Sequence, residues 1–573
     1  AIEKATTADA NASQALATAN NVQTQLNTIV IEGDSSVEAA QARVDAEGRV
    51  FTTLKERLDT KETQFSSQLE TFDSKFESVE EKLKDIAVNV KDFGAVGDGM
   101  TDDSQSFRDA INTLISVGGG RLIVPYTDDF YAFSSGIEVL IPDGIKIEIV
   151  GIGFPEIRLV SDVLTGILAI SGINDRPQDT SVVIRGMKLN GIGVPEQWEE
   201  TNYENLRIVT GLSLKANKVL VEDCFFNNIY GYGVNIQKYS HAVVNNCQFE
   251  NVGGKWYQNN QYDAFGDAVY FGNAENDTSI AVVSNSRLIA YKQDRPLSRC
   301  GIVFEYNAGI CVVRDCYIEG YMRGVHIEDA EESQITIENT HFNRYSLATF
   351  LAIGAKKVYC KNNRYTNNTG NYNGQAGFFG CYSVSRLPDT IIFDGCYFEI
   401  ASSGIVEFKG LKNVKFIGCH FVSNGGLQTI NFGSCIIIGC TMIGKVLHLF
   451  GTIINIMNGC KLIGVTGGDQ VLHLDGNGII EKMVDCTLED GYISWEFTRC
   501  LFENCNFVKT GNVTLTYDGF LRPYEVNARI KGCTIISPEN MNFTVTGWGG
   551  ADYIGDSYKI INNTYIKVAS TVV

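Results

Sequence analysis

The sequence predicts an all-β solenoid, a parallel β-helix, preceded by an α-helical stalk. Three observations carry that reading. A short strand-and-corner token recurs through most of the chain. Residues 1–88 lack the token and carry a seven-residue apolar track instead. The 573 residues hold 57 Gly against 9 Pro, which fits many tight turns that spare proline.

The elements follow in order. From Val37 an apolar residue recurs every seven positions, through Val44, Phe51, Leu58, Phe65, Phe72, Val79 and Ile86. A second track joins at Leu69, Phe76 and Leu83, so residues 65–86 read as a helix that supercoils with partners. Large Phe at core sites suits three strands, and the competing reading is a lone amphipathic helix. Residues 89–130 form a capping segment. In it, Asp102 is expected to cap a short helix, with Gln105 as its capping-box partner and Phe107, Ala110, Ile111 and Leu114 as its apolar stripe.

Residues 131–545 read as the β-helix and 546–573 as its last coil or a small cap. Corner tokens such as EDCFF at Cys224, NNCQF at Cys247, RDCYI at Cys316 and FDGCYF at Cys396 continue to IKGCTI at Cys533, about 26 residues apart on average. Short β-branched strands with no helical pattern between them favour a parallel β-helix over a leucine-rich repeat. Each small corner residue stacks on its equivalent one coil away. Most of the 16 Cys are therefore expected to be buried free thiols, which suits assembly in a cytoplasm.

Composition narrows the function. A formal charge of -20 argues against a duplex nucleic-acid partner. No stretch reaches the apolar length of a membrane span, and no secretory leader is recognisable. No zinc-type cysteine pairs occur, and neither a metal nor a cofactor is expected. KVLHLFG and QVLHLDG stack His448 on His473 with Asp475 nearby, an arrangement read as a subunit seam before a metal site.

The candidate site comes from aligning four strands, YGVNIQ, DAVYFG, CGIVFE and RGVHIE. One outward column is then Asn235, Tyr270, Val303 and His326; the next is Gln237, Gly272, Glu305 and Glu328. Glu305 and Glu328 sit about one coil apart with His326 beside them, and Asp267 and Arg323 take equivalent places before their strands. Two close carboxylates ionise unequally, which suits a proton donor beside a base or nucleophile. The expected catalytic groups are Glu305, Glu328, His326, Asp267 and Asp263. Three long insertions add Trp198, Tyr203, Trp256, Tyr257 and Arg295, which with Arg323, Asn235 and Tyr270 would make a sugar-binding wall. The competing reading makes the carboxylates solvated charges bonded to Arg299 or Arg323, and the tryptophans loop anchors.

The segment VKDFGAVGDGMTDDSQSFRDAI, residues 90–111, resembles the opening of pectate-lyase-superfamily β-helix proteins. The upstream EAAQARVDAEGRVFTTLKERLD resembles stalks of tail appendages and tailspikes from phages of Gram-positive bacteria. The resemblance implies a right-handed β-helix, a homotrimer and a virion tail location, with other tail proteins bound through the N-terminal region. It also implies a host wall or capsule glycopolymer as partner, and depolymerisation of it as a glycosidase or phosphodiesterase. It supplies no catalytic residues. Two alternatives stay open: a receptor-binding tail protein without turnover, and a bacterial polysaccharide lyase or epimerase.

Overall fold

The computed structural model describes all residues except 1, 33–40, 162–165, 194–208, 255–265, 291–297, 353, 369–376, 382–387, 401–403, 409–410, 412, 424–427, 446, 451, 466–469, 476–477, 496–499, 511–518, 524–527, 538–541, 545–558, 562–563 and 568–573. Two units emerge, Ala1–Ile86 and Ala87–Val573.

The first unit holds two helices, Ile2–Glu32 and Leu54–Ile86. Residues 65–86, read as helical, lie within the second helix, and the earlier part of the seven-residue track crosses a break between the two. Val44 instead pairs with Val50 in an antiparallel bridge. The cause is local hydrogen bonding. The Asp45 carboxylate accepts from the backbone N–H groups of Glu47 and Arg49, and Gly48 turns the chain at φ +81°. Thr53 Oγ1 then accepts from Glu56 N, while the Glu56 carboxylate accepts from Thr52 N, and the helix restarts. On this second helix the track residues Leu58, Phe65, Leu69 and Phe72 are exposed.

The second unit opens with the strand Val88–Asn89, paired to Gly119–Pro125. The helix Ser104–Ser116 buries Phe107, Ala110, Ile111 and Leu114, as its stripe requires. Its start differs from the expected box. Asp102 accepts from the N–H groups of Ser104 and Ser134 and from both hydroxyls. Asp103 is the residue before the helix, and its carboxylate serves Val96 N and Gly97 N, whose loop has no sheet to bond with. Gln105 turns to Arg108 and Asp109.

Burial opposes the Asp102 charge, but the donors from Ser104 and Ser134 outweigh it and lower its pKa from 3.8 to about 2. A depressed folded pKa stabilises the fold above the unfolded value and loses that contribution as pH falls. The difference in unfolding midpoint between wild type and Asp102→Asn is expected to be full above about pH 4 and to narrow toward about pH 2. A constant difference across that range would argue against this role.

Beyond the cap the chain winds through three parallel sheets. Sheet I contains Gly119–Pro125, Lys146–Ile152, Ser181–Arg185, Lys218–Glu222 and the equivalent strand of later coils. Sheet II runs from Tyr131–Phe133 through Phe225–Ile229 to Thr564–Lys567. Sheet III runs from Ile137–Ile141 to Gly377–Cys381, and a further seven strands from Gly404–Phe408 to Asn542–Thr544 follow. Strand alternation buries one side, as in Lys218–Glu222, where Val219 and Val221 point inward. Inside, like side chains stack on like. Phe342, Tyr365, Phe398 and Phe421 form one column with ring centroids 5.1, 4.8 and 4.6 Å apart.

The corner token has a backbone explanation. The residue before each small corner side chain has positive φ, including Asp223, Asn246, Asn285, Asp315, Asn339 and Asn362, then Gly395, Gly418, Gly439 and Gly459. Asn, Asp and Gly tolerate that region best. The next side chain turns into the core. Cys247 Sγ lies 3.7 Å from Val221 O of the preceding coil.

Fourteen described cysteines are free and buried. Burial pushes the thiols of Cys316 and Cys360 up to about 12. A thiol reagent at neutral pH is expected to label almost none of them in the native protein and nearly all after denaturation without reductant. Rapid native labelling would contradict the buried ladder.

Candidate functional site

Sheet III places the aligned strands in the expected register. Asn235 pairs with Tyr270, Tyr270 with Val303 and Val303 with His326. Gln237, Gly272, Glu305 and Glu328 form the neighbouring column. Asp267 pairs with Cys300, and Cys300 with Arg323. Glu305 and Glu328 are thus on adjacent rungs, with Cα atoms roughly 4.8 Å apart.

The outward column is not a wet one. His326 is 1% exposed and Val303 0%, because this side of the sheet carries a thin apolar layer of its own. Tyr270, Cys300 and Val303 cluster apart from the main core, with Tyr232 packed against them. Phe350, the rung after His326, stacks on the imidazole at 5.4 Å, and the Arg323 guanidinium lies 3.8 Å from the centre of the same ring. Asp267 is fully buried, so its carboxylate is closed to a polymer on the surface. These are corrections: outward direction in a strand does not guarantee exposure when neighbouring rungs hold large rings.

His326 links two charges. Its Nδ1 is 2.9 Å from Arg323 Nη1, and its Nε2 is 2.7 Å from Glu328 Oε2. Arginine only donates, so Nδ1 accepts and Nε2–H donates to Glu328. The ring is neutral in this arrangement and its lone pair is already used. His326 therefore positions Glu328 and is not a free base. Glu328 itself is one-third exposed.

Glu305 has different partners. The phenols of Tyr270 and Tyr306 both hydrogen-bond to its carboxylate. Burial first, then the Glu305 charge, holds the Tyr270 phenol well above its ordinary pKa; at Tyr306 the Glu305 charge comes first. Both phenols stay protonated and donate to Glu305 at neutral pH. Gly272 makes room for this. A Cβ at that position would lie 2.7 Å from Tyr270 Cε1 and its hydroxyl.

The half-buried Asn235 accepts from Gln237 at 3.3 Å, two coils from Glu305. Trp198, Tyr203, Trp256, Tyr257, Asp263 and Arg295 lie outside the described residues. His448 and His473 pair in register one coil apart, while the side chains of His448 and Asp475 are outside the described set. Sequence reasoning missed Tyr306 and Phe350. Tyr306 follows Glu305 at φ +56°, and Phe350 would have appeared on extending the column by one coil to LATFL.

Comparison with known proteins adds the following. Residues 180–342 and 267–442 match the family model described as a right handed beta helix region. The tail spike protein of Shigella phage Sf6 is 32% identical over 90 residues, 16% of this chain and 14% of that one. A phage-related protein of Bacillus subtilis, YobO, is 30% identical over 157 residues, 27% of this chain and 16% of that one. Alginate lyase 7 of Azotobacter vinelandii is 39% identical over 88 residues, 14% of this chain and 10% of that one. The chain thus matches only a small part of each relative's length. Its fold is an all-β, right-handed parallel β-helix with an N-terminal α-helical segment. Among the described residues no helix is long and apolar enough to cross a membrane.

Proposed function

We propose that the chain binds a polysaccharide along sheet III and acts on it by acid–base chemistry at Glu305 and Glu328, as part of a phage tail. The observation that carries this reading is a pair of carboxylates on adjacent rungs with unlike donors. Two phenols hold Glu305, while an imidazole N–H holds Glu328. The two carboxylates thus stand side by side with different hydrogen-bond donors, an asymmetry that suits unlike roles in one reaction. In a cleavage with retention, one carboxyl protonates the leaving oxygen as the other carboxylate bonds to the sugar carbon, and a water deprotonated by the first group then releases the sugar. A one-rung spacing of roughly 4.8 Å lies near the separation used with retention. The partial likeness to a tail spike protein supports the tail assignment.

A second chemistry has its own observation. The Tyr270 phenol donates to Glu305, and Arg323 provides a half-buried cation two rungs from Asp267. Such a pair suits proton transfer at the carbon beside a sugar carboxylate, as in elimination or epimerisation. The likeness to an alginate lyase supports it at higher identity than the tail spike match.

Incubation of the full chain with alginate and with bacterial surface polysaccharides separates the outcomes. Hydrolysis yields saturated reducing ends. Elimination yields a saturated reducing end on one fragment and, on the other, a non-reducing end with a conjugated double bond that absorbs in the ultraviolet. Epimerisation alters the sugars without shortening the chain. Binding with no product on any polymer would overturn the catalytic reading and leave a receptor-binding protein. Tyr270→Phe is expected to suppress elimination far more than hydrolysis.

The exposed apolar track on Leu54–Ile86 supports a homotrimer. Sedimentation equilibrium is expected to give about three times 63.0 kDa. A monomer at micromolar concentration would refute the stalk.

A further inference from the structure

A second surface, on sheet II, has a repeat of its own. Successive rungs of one outward column are Arg287, Tyr317, His341, Arg364, Tyr397 and His420. The order Arg, Tyr, His thus occurs twice, with a period of three coils, about 14 Å at roughly 4.8 Å per rung.

The arginine–tyrosine contact repeats as well as the residue types. The Arg287 guanidinium lies 4.8 Å from the centre of the Tyr317 ring, and Arg364 lies 4.6 Å from that of Tyr397. Each tyrosine then meets a histidine ring, edge-on at 5.2 Å for Tyr317–His341 and stacked at 5.6 Å for Tyr397–His420. The phenol of Tyr317 is fixed by donating to Glu319 at 2.5 Å and accepting from Asn343 at 2.9 Å. His341 Nε2 is 2.7 Å from Thr366 Oγ1. Both guanidiniums are exposed, and neither has a carboxylate partner among the described residues. A cleft of about 450 Å³ lined by Gln248, Asn285, Arg287 and Tyr317, with Asp315 also on its wall, adjoins the first repeat.

We infer that this column is a second, non-catalytic binding track for a linear acidic polysaccharide lying along the β-helix axis. The two uncompensated cations suit an anion on the polymer at a matching interval, and the tyrosine ring beneath each guanidinium holds it in place. Six consecutive rungs span about 24 Å, enough for an extended chain and more than one sugar needs. A rigid ladder presents these groups with little ordering cost on binding. The inference rests on the reading of the protein as polysaccharide-binding, but it concerns a different face from Glu305 and Glu328.

The test uses the full chain and three probes of similar length: alginate for carboxylate, poly(glycerol phosphate) for phosphate, and dextran as a neutral control. Arg287→Gln combined with Arg364→Gln is expected to weaken binding of at least one anionic probe by about tenfold or more. Dextran binding, melting temperature and sedimentation should stay as in wild type. Whichever anionic probe responds identifies the recognised group. No anionic binding by wild type, unchanged binding by the double variant, or an equal loss for dextran would each overturn the track. A change in sedimentation would overturn it too, and would make the column a seam between copies. Glu328→Gln run in parallel separates the two sites. If it keeps full turnover while the arginine variant loses binding, the sheet III reading fails and the track stands.

Discussion

Glu305→Gln and Glu328→Gln are each expected to lower turnover of the processed polymer by about 10²-fold or more, with assembly and melting unchanged. Glutamine keeps the shape of each side chain and an oxygen that accepts. The His326 N–H can still bond at position 328, and the two phenols can still bond at 305. What disappears is the charge and the proton that the pair exchanges with substrate. Glu328 is one-third exposed and sits outside the core, so its loss of charge costs the fold little. Removing His326 acts through Glu328 and should slow turnover less than removing the carboxylate itself. Full turnover by both glutamine variants would remove this site and direct attention to Asp263 and the His448–His473 stack.

Phe398→Ala is expected to cost about 3–5 kcal/mol of stability. The ring is 1% exposed and lies between Tyr365 and Phe421, with Phe378 at 4.3 Å. Because each coil contacts its neighbours, the cavity loosens both adjoining rungs at once. The measurement is the shift in denaturant midpoint against wild type. A change under about 1 kcal/mol would mean that the interior column is not packed as described.

Much of sheet III was legible in the sequence. Apolar pairs such as Val234 with Ile236 and Val325 with Ile327 fix which face is buried, and a one-residue slip would reverse every side chain. That alone places Glu305 beside Glu328. The corners were legible for a related reason, since few residues accept the positive φ before each buried thiol. Other features depended on contacts that a linear pattern does not carry. The burial of His326 comes from Phe350 and Arg323, and the closure of Asp267 is likewise invisible in spacing. The heptad track ran across a real break because Val44 and Phe51 keep the seven-residue spacing while Asp45 and Gly48 turn the backbone. At the cap, two adjacent carboxylates, Asp102 and Asp103, are open to the same nearby donors, and Ser104 donates to the first. Their division between Ser134 and the glycine loop is settled by tertiary structure.

The central claim is that a polysaccharide is processed where Glu305 and Glu328 lie on neighbouring rungs. The most direct measurement is a crystal structure of Glu328→Gln soaked with an oligosaccharide of the polymer that wild type degrades. The account predicts a sugar–sugar linkage lying over positions 305 and 328, within hydrogen-bond reach of the Glu305 carboxylate. An oligosaccharide ordered elsewhere, with these two positions bare, would contradict it.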